Sequence, residues 1–516
     1  MDKNKWAVKN LLIEENLISM PFDTIFSWII KKRIDQIEHF TFNPIITQNG
    51  VWDSLLDRAK ETEFGKQYGF ATTPSYREFK NNIPLHTYED IFPYIEKSIA
   101  GEENILWPGK TQWFSKSSGT TNAKSKLIPV TQEAIQDCHY KGGKDLLSIY
   151  YHNNPGAKLF SGKHLILGGN TSVNQLNEGS YFGDLSAIIV KNLPFWAEIR
   201  RTPNRQITLM ENWEEKILKM AESSLKEDVK IIAGVPSWML VLLNKIIEVA
   251  EGKTINEIWP NLELYMHGGV NFDPYKPQFD SIINSKKLNY YQTYNASEGF
   301  FSLQNENKTD DMLLMLDYGI FYEFIPMNEF DGTNSNAISL EEVELNKNYA
   351  LVISTNGGLW RYLVGDTVKF TSLSPFKIKV TGRTKHFINA FGEELIIENT
   401  DIAITKACER TGASFKEYTV APIYILGKEK GAHEWAIEFV NPPQNNQEFI
   451  AVLDETLKSL NSDYEAKRIL ILENPVLHVL PKNTFDSWLK TKGKLGGQNK
   501  IPRLSNDRKL MEEILS

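Results

Sequence analysis

Short apolar runs that alternate with helical patterns occupy the middle of this chain, and they constrain its fold more than any other feature. The four runs are residues 164–168, 230–233, 262–267 and 288–294. Each has the length of a buried strand, and the segments between them show the spacing of apolar residues that is typical of helices. Strands separated by helices predict an α/β fold with a largely parallel sheet. Ser237 is expected to cap the helix that follows the second run.

The regions on either side of these runs have different patterns. Residues 1 to about 65 carry apolar residues at helical spacing, as in 22–30 and 51–56. From about residue 300 the strands follow one another closely, for example at 349–355 and 367–371. This pattern predicts hairpins and a smaller β subdomain within the same large domain.

A second change of pattern falls near Gly382 and Arg383. Beyond it, the sequence predicts strands at 418–426, 434–440 and 469–473 and a helix at 449–460, which together indicate an α+β domain. A chain of 516 residues is too long for one ordinary core. We therefore expect a large N-terminal domain over 1–381 and a smaller, mobile C-terminal domain over 382–516, with a hinge near 382–389.

The amino-acid composition restricts the kinds of partner that this chain is expected to bind. A net charge of −8 argues against nucleic acid as a partner, because nucleic-acid-binding proteins usually present a basic face. The two cysteines, Cys138 and Cys408, cannot make a disulfide framework or a thiolate metal cage. The first residues are polar, and the apolar stretch 231–243 is shorter than the roughly 20 residues that a membrane span needs. We expect a cytoplasmic monomer with neither a membrane nor a nucleic-acid partner.

Residues 114–121, which read FSKSSGTT, place four hydroxyl groups within five residues around one glycine. Closely spaced hydroxyl and backbone N–H donors are suited to holding a polyphosphate, and a glycine lets the chain turn tightly around a ligand. A helix is expected to start at Thr131. For the run alone, an ordinary polar loop is the commoner explanation. The candidate phosphate-binding residues are Ser117, Ser118, Gly119, Thr120 and Thr121.

Three further stretches follow in order, and each has both a structural and a functional interpretation. In residues 294–299, YNASEG, an aromatic ring could stack on a purine and Glu298 could reach a phosphate-bound Mg²⁺. In residues 360–366, WRYLVGD, Asp366 follows a glycine and could accept both hydroxyls of a ribose. Residues 382–388, GRTKHFI, lie at the predicted domain break. Singly, these residues are as readily explained as core or turn residues.

Taken in this order, the four stretches resemble the adenylate-forming superfamily of acyl-CoA synthetases and peptide-synthetase adenylation domains. The phosphate loop departs from the ordinary members, which continue with Gly and Pro-Lys where this chain has residues 122–126, NAKSK. That departure, together with 62–70 (TEFGKQYGF), 126–131 (KLIPVT) and 496–503 (GGQNKIPR), resembles the auxin-responsive promoter, or Gretchen-Hagen-type, family of acyl-acid amido synthetases. The similarity spans nearly the whole chain, which looks like a shorter, bacterial-type member.

The resemblance implies an ATP-dependent ligase that adenylates a small carboxylic acid and passes the acyl group to an amine, typically of an amino acid. It implies ATP and Mg²⁺ as cofactors, with Glu298 as the metal ligand and Lys500 and Glu298 as catalytic residues. ATP or AMP would contact the hydroxyl run, Lys500 and a further set of residues: Tyr294, Ala296, Ser297, Glu298, Asp366, Arg383 and Lys385. His267, Gly268 and Gly269 would line the acyl pocket.

Two other functions remain open at this point. An acyl-CoA synthetase would use a thiol acceptor in place of the amine, and only a test of acceptors separates the two. A catalytically inactive binding protein could use the same scaffold. The joint presence of the hydroxyl run, Glu298, Asp366 and Lys500 argues against the inactive protein, because mere binding does not need all of them.

Overall fold

The computed structural model describes residues 22–73, 75–118, 125–168, 173–193, 195–210, 212–270, 272, 275–384, 387–393, 395–427, 429–492 and 501–516. The helices in these ranges are Phe22–Phe42, Pro44–Ala59, Glu63–Gln67, Tyr76–Asn82, Tyr88–Ile99, Tyr140–Asn153, Leu185–Lys191, Phe195–Arg200, Arg205–Thr208, Trp213–Ser224, Pro236–Val249, Ile255–Ile258, Lys276–Ile283, Ile397–Thr411, Asn446–Leu460, Ser462–Leu470, Thr484–Thr491 and Lys509–Leu515. A π-helical turn, Ala134–His139, precedes the helix Tyr140–Asn153.

The strands up to the predicted domain break are β1 Trp113–Ser118, β2 Ser125–Val130, β3 Lys163–Leu167, β4 Asn174–Asn177, β5 Ser180–Gly183, β6 Arg201–Thr202, β7 Val229–Gly234, β8 Leu264–Gly268, β9 Asn289–Ala296, β10 Gly299–Leu303, β11 Met312–Leu314, β12 Ile320–Pro326, β13 Ile338–Ser339, β14 Asn348–Thr355, β15 Tyr362–Leu373 and β16 Phe376–Arg383. The strands that follow are β17 Phe387–Ile388, β18 Leu395–Ile396, β19 Ser414–Ile423, β20 Ala432–Asn441 and β21 Val476–Leu480.

The largest sheet has twelve strands in the order β13-β12-β14-β15-β16-β11-β10-β9-β8-β7-β3-β6. The strands from β9 to β6 are parallel, and they contain the four apolar runs that the sequence predicts as strands. From β9 to β13 all neighbouring strands are antiparallel. The α/β prediction is confirmed, and the predicted β subdomain is the antiparallel half of this continuous sheet.

Helices cover the parallel half, which explains why its central strand β7 is almost entirely buried. The first five residues of β7, Val229 to Ala233, are all buried, as expected for a parallel strand with helices on both faces. The following helix begins with Pro236 at its first turn and has Val235 at its N-cap. The predicted cap at Ser237 is therefore wrong: Ser237 lies inside the helix, because proline is favoured at the first helical position and the helix starts at Pro236, with its N-cap two residues before Ser237.

The C-terminal sheet has three strands in the order β19-β20-β21. The two helices Ile397–Thr411 and Asn446–Leu460 pack against each other beside it. The strand predicted at 469–473 is wrong: the helix Ser462–Leu470 ends within this segment and a turn follows. Asn461 caps that helix through its side chain, and Ile469 is exposed while Ile471 and Leu472 are buried, so the apolar run is a helix end and not a strand.

The C-terminal region packs against the helices that cover the parallel half of the large sheet. One apolar core contains Leu240 and Tyr265 of the large sheet region together with Phe391 and Trp435 beyond the predicted break. The Tyr275 hydroxyl donates to the Ala390 carbonyl at 2.6 Å. Strand β16 ends at Arg383, and the small β17-β18 sheet lies between it and the helix Ile397–Thr411.

Candidate active site

The hydroxyl run begins at the end of strand β1. Strands β1 and β2 pair in antiparallel fashion up to Ser118 opposite Ser125, and Ser117 lies opposite Lys126. Ser117 and Ser118 therefore occupy the end of β1, while Gly119, Thr120 and Thr121 lie outside the described residues. The predicted helix begins after Thr131, whose hydroxyl accepts the Ala134 N–H at 3.1 Å.

A hydrogen bond connects this hairpin to the large sheet. The Ser115 hydroxyl donates to the Ser297 hydroxyl at 2.9 Å, across a sequence separation of 182 residues. Ser115 is fully buried. Because residues two apart on a strand share a face, Ser117 lies on the same face of β1 as Ser115. The strand that leads into the hydroxyl run therefore contacts the YNASEG stretch, and sequence patterns alone gave no signal for the part that Ser115 plays.

Ser297 and Glu298 form the two-residue turn between β9 and β10, with Ala296 opposite Gly299. Glu298 is half-buried. A Cβ at position 299 would lie 2.7 Å from Ile320 Cδ1, so a larger residue there would displace the Ile320 side chain. The turn presents Glu298 at the end of the β9–β10 strand pair.

This donor set fits Mg²⁺. Magnesium in nucleotide sites is usually held by one or two carboxylates, by phosphate oxygens and by water, not by a cage made of protein alone. Over the described residues, no three or more His, Cys, Asp or Glu side chains group into a metal site. Glu298 supplies a single carboxylate, which matches an ion held by one carboxylate, by phosphate oxygens and by water.

Asp366 and Arg383 are brought together by strand register. They are Cα partners on the antiparallel strands β15 and β16, and Arg383 Nε donates to Asp366 Oδ1 at 2.8 Å. Asp366 follows Gly365, whose φ of +92° is a conformation that favours glycine. The Thr384 N–H donates to the Gly365 carbonyl at 2.9 Å. The start of the predicted hinge is thus fixed onto the strand that carries Asp366.

Tyr294 reaches the same carboxylate from the other side. Its hydroxyl donates to Asp366 Oδ2 at 2.6 Å, and its ring is buried against Phe301. Four strand spacings separate β9 from β15, which in a flat sheet would be roughly 19 Å. The hydrogen bond therefore shows that the sheet curls between these strands, and the concave region contains Asp366. Adenine stacking by the Tyr294 ring stays a prediction.

The three residues predicted for the acyl pocket lie at the carboxyl end of β8 and just beyond it. His267 is buried, its ring stacks on Phe272 with centroids 4.0 Å apart, and burial lowers its pKa to about 3. Its Nδ1 makes no hydrogen bond to any part of the chain that the structure describes. Gly268 is required where β8 meets β9, because a Cβ there would lie 2.4 Å from the Thr293 carbonyl oxygen. Gly269 has a φ of +82°.

The two predicted lysines, Lys385 and Lys500, lie outside the described residues. The chain that follows Lys500 is fixed to the C-terminal sheet. Thr419 donates its hydroxyl to the Pro502 carbonyl at 2.7 Å, and Arg503 pairs with Asp401 at 2.8 Å.

A further contact at this site is absent from the sequence-based prediction. His139, the last residue of the π-helical turn, lies with Nδ1 3.1 Å from Asn295 Oδ1. His139 is buried, and burial lowers its pKa to about 4, so the ring is neutral and donates to the amide oxygen. π-helical turns occur frequently at functional sites, but their sequences carry no distinctive pattern.

Three models of one family match the chain: the GH3 family N-terminal domain at residues 33–288, the GH3 family central domain at 313–383 and the GH3 family C-terminal domain at 398–509. Together they span well over half of its length. The chain belongs to the GH3 family. This confirms the family that the sequence motifs predict.

Curated relatives of this GH3 chain are plant enzymes. The indole-3-acetic acid-amido synthetase GH3.3 of Arabidopsis thaliana is 23% identical over 560 residues, which cover 93% of this chain and 93% of that protein. The jasmonoyl–L-amino acid synthetase JAR4 of Nicotiana attenuata is 24% identical over 410 residues, which cover 65% of this chain and 68% of that protein. Both names describe ligases that join an acid to an amine. The predicted enzyme class, an acid–amino acid ligase, is confirmed.

Solved structures show the same fold. The acyl acid amido synthetase AtGH3.15, in complex with 2,4-DB, superposes with a TM-score of 0.62 at 18% identity and covers 94% of this chain and 96% of its own. A 2-hydroxyisobutyryl-CoA ligase in the thioesterification state gives a TM-score of 0.55 at 11% identity, covering 90% and 91%. These superpositions confirm the fold class that the sequence predicts. Among the described helices, none is both long and apolar enough to cross a membrane.

Proposed function

We propose that this GH3 chain activates a small carboxylic acid with ATP and transfers the acyl group to the amine of an amino acid. The observation that carries the proposal is the Ser115–Ser297 hydrogen bond. It fixes the strand that ends in the hydroxyl run against the turn that holds Glu298. The named activities of GH3.3 and JAR4, which act on plant-hormone acids, support the reaction type but not the identity of the acid here.

In the first step, a carboxylate oxygen of the acid attacks the α-phosphorus of ATP, and pyrophosphate leaves. Two anions meet at one phosphorus, so the site must align them and supply positive charge. The hydroxyl run from Ser117 to Thr121 would hold the phosphates. Lys500 would contact both the carboxylate and the α-phosphate, and Asp366 would accept the ribose hydroxyls beside Arg383.

Glu298 would hold Mg²⁺, which would supply positive charge at the phosphates. The carboxylate belongs to a two-residue turn, with Ala296 and Ser297 leading into it. The bond from Ser115 to Ser297 joins this turn to the strand that leads into the hydroxyl run, which supports the assignment. The remaining magnesium ligands would be phosphate oxygens and water.

In the second step, the neutral amine attacks the acyl carbon, the bond to the phosphate oxygen breaks and AMP leaves. The amine nitrogen then loses a proton. We propose that the domain over 382–516 rotates about the hinge near 382–389 between the two steps, with Lys385 at or near the pivot. His267, Gly268 and Gly269 at the end of β8 would line the acyl side of the cleft.

The buried, unpaired thiols of Cys138 and Cys408 fit a reducing compartment, and we place the enzyme in the cytoplasm. The second candidate function is an acyl-CoA synthetase, because a CoA ligase shares the fold. That enzyme would perform the same first step and would use a thiol, in place of an amine, as the acceptor of the second step.

The first step is tested by ATP–pyrophosphate exchange with a panel of aryl, indolyl and aliphatic acids. We expect exchange that depends on the acid and on Mg²⁺, and that falls about a hundredfold in Glu298→Gln, since one charge contact in a closed site contributes about 3 kcal/mol. Glu257→Gln, at a carboxylate in the exposed turn of another helix, is the matched control. Absence of exchange over the whole panel would favour the inactive binding protein.

A further inference from the structure

The Asp366 carboxylate is held by two donors from opposite sides. Tyr294 donates to Oδ2 at 2.6 Å and Arg383 donates to Oδ1 at 2.8 Å. An ionised carboxylate has about four acceptor positions, so each oxygen keeps one for a ligand. Asp366 is itself nine-tenths buried. With both oxygens tied, the plane of the carboxylate is fixed before any nucleotide arrives.

Tyr294 can only donate to this carboxylate. Burial, and next the negative charge of Asp366, raise the pKa of its hydroxyl well above the usual value, so it keeps its proton. Only 8% of the residue is exposed, and the ring packs on Phe301 with centroids 4.8 Å apart. Little of the ring face is open to a base, whereas the hydroxyl has a defined partner.

We propose that Tyr294 is a positioning residue whose hydroxyl holds Asp366 in the orientation that accepts the 2′ and 3′ hydroxyls of a ribonucleotide. The inference rests on the proposed function. Tyr294 belongs to the last parallel strand, β9, and Asp366 to the antiparallel half, so their bond also holds the curled sheet closed around the ribose position. The ligand class is a ribonucleotide with both hydroxyls free.

We therefore expect the discrimination between ribose and deoxyribose nucleotides to depend on the Tyr294 hydroxyl and not on the Tyr294 ring. If the carboxylate is held in one plane, loss of either ribose hydroxyl leaves one of its buried acceptor positions without a donor. If Tyr294 loses its hydroxyl, the carboxylate can turn, and the difference between ribose and deoxyribose shrinks. Tyr294→Phe keeps the ring and therefore separates this role from adenine stacking.

The test is calorimetric titration of the full chain with AMP, 2′-deoxy-AMP and 3′-deoxy-AMP, which requires neither acid nor amine. We expect the wild type to bind AMP roughly tenfold more tightly than either deoxynucleotide, as for one hydrogen bond to a charged group. In Tyr294→Phe we expect AMP affinity to fall about tenfold and the ratio to approach one. In an Asp366→Ala background, Tyr294→Phe should cause no further loss.

Tyr291→Phe is the matched control. Tyr291 is a buried tyrosine on the same strand, and its hydroxyl contacts Asn153 and Asn307, away from Asp366. Thermal unfolding shows whether each variant folds. Two results for Tyr294→Phe overturn the inference: unchanged AMP binding, or an equal loss of affinity for all three nucleotides. Neither result contradicts the proposed function. No AMP binding by the folded wild type overturns both.

Discussion

Ser115 and Ser297 share a hydrogen bond of 2.9 Å between their hydroxyl oxygens, which joins strand β1 to the turn that carries Glu298. Neither residue has a charge, and Ser115 is fully buried. Under the proposed function, this bond connects the strand that leads into the phosphate-binding residues to the turn that would hold the metal.

Ser115→Ala is expected to slow adenylation about tenfold while lowering the free energy of unfolding by about 1 kcal/mol, the usual net value of one hydrogen bond. The rate of pyrophosphate release and urea unfolding measure the two effects. Ser302→Ala is the control, because Ser302 is equally buried on β10 but its hydroxyl faces Met312. Equal rates in both variants would show that the bond does not position the turn.

Glu323→Ala is expected to destabilise the chain by about 3–5 kcal/mol, since it leaves the buried Arg361 guanidinium without its carboxylate. The pair is nearly inaccessible, and Glu323 accepts from Arg361 Nε and from one terminal nitrogen, both at 2.9 Å. Lys219→Ala, which breaks an exposed pair with Glu215, should cost less than about 1 kcal/mol. Chemical unfolding of both variants checks this; similar losses would contradict it.

His139→Gln is expected to make stability less sensitive to acid. Burial lowers the pKa of His139 to about 4, whereas an unfolded histidine titrates near 6.5, so between these values the unfolded state binds more protons. The free energy of unfolding therefore falls as the pH falls, by roughly 2 kcal/mol from pH 6.5 to pH 5 for this group.

Urea unfolding at pH 6.5 and at pH 5 gives the difference for each protein. Glutamine keeps an N–H donor for Asn295 but does not titrate, so the variant should lose about 2 kcal/mol less than the wild type. His152→Gln, on the exposed face of the neighbouring helix, serves as the control. A wild-type pH dependence in His139→Gln would contradict the assignment of a neutral, buried imidazole.

Lys500→Ala is expected to lower acid-dependent pyrophosphate release about a hundredfold, which corresponds to about 3 kcal/mol of transition-state stabilisation. Thermal stability should not change, because the following residues keep their own attachments through Pro502 and Arg503. Lys509→Ala removes an exposed lysine of the last helix and should have no effect. A wild-type rate in Lys500→Ala would remove this lysine from the mechanism.

The sequence predicts most of the secondary structure here because local patterns determine it. Each of the four apolar runs is a parallel strand, and helix 449–460 is confirmed within Asn446–Leu460. The errors occur where a local signal has two meanings. The apolar residues at 469–473 fit a strand or a helix end, and Ser237 follows a proline that is the stronger start signal.

For the candidate site, the sequence motifs suggest which residues take part but not which contacts they make. Register alone places Arg383 opposite Asp366, and curling of the sheet brings Tyr294 to the same carboxylate. Neither contact can be predicted from a single sequence, because pairing between strands that are far apart in the chain leaves no local pattern. Ser115 and His139 were missed for the same reason: both act through partners more than 150 residues away.

The proposed function requires that the acyl-adenylate be passed to an amine. AMP release, measured with an acid that supports pyrophosphate exchange, tests this step when the acceptor is varied between a mixture of amino acids and coenzyme A. We expect AMP formation that rises with amino acid, with an amide in equal amount by mass spectrometry, and no rise with coenzyme A. AMP and a thioester formed with coenzyme A alone would show that the acceptor is a thiol and not an amine.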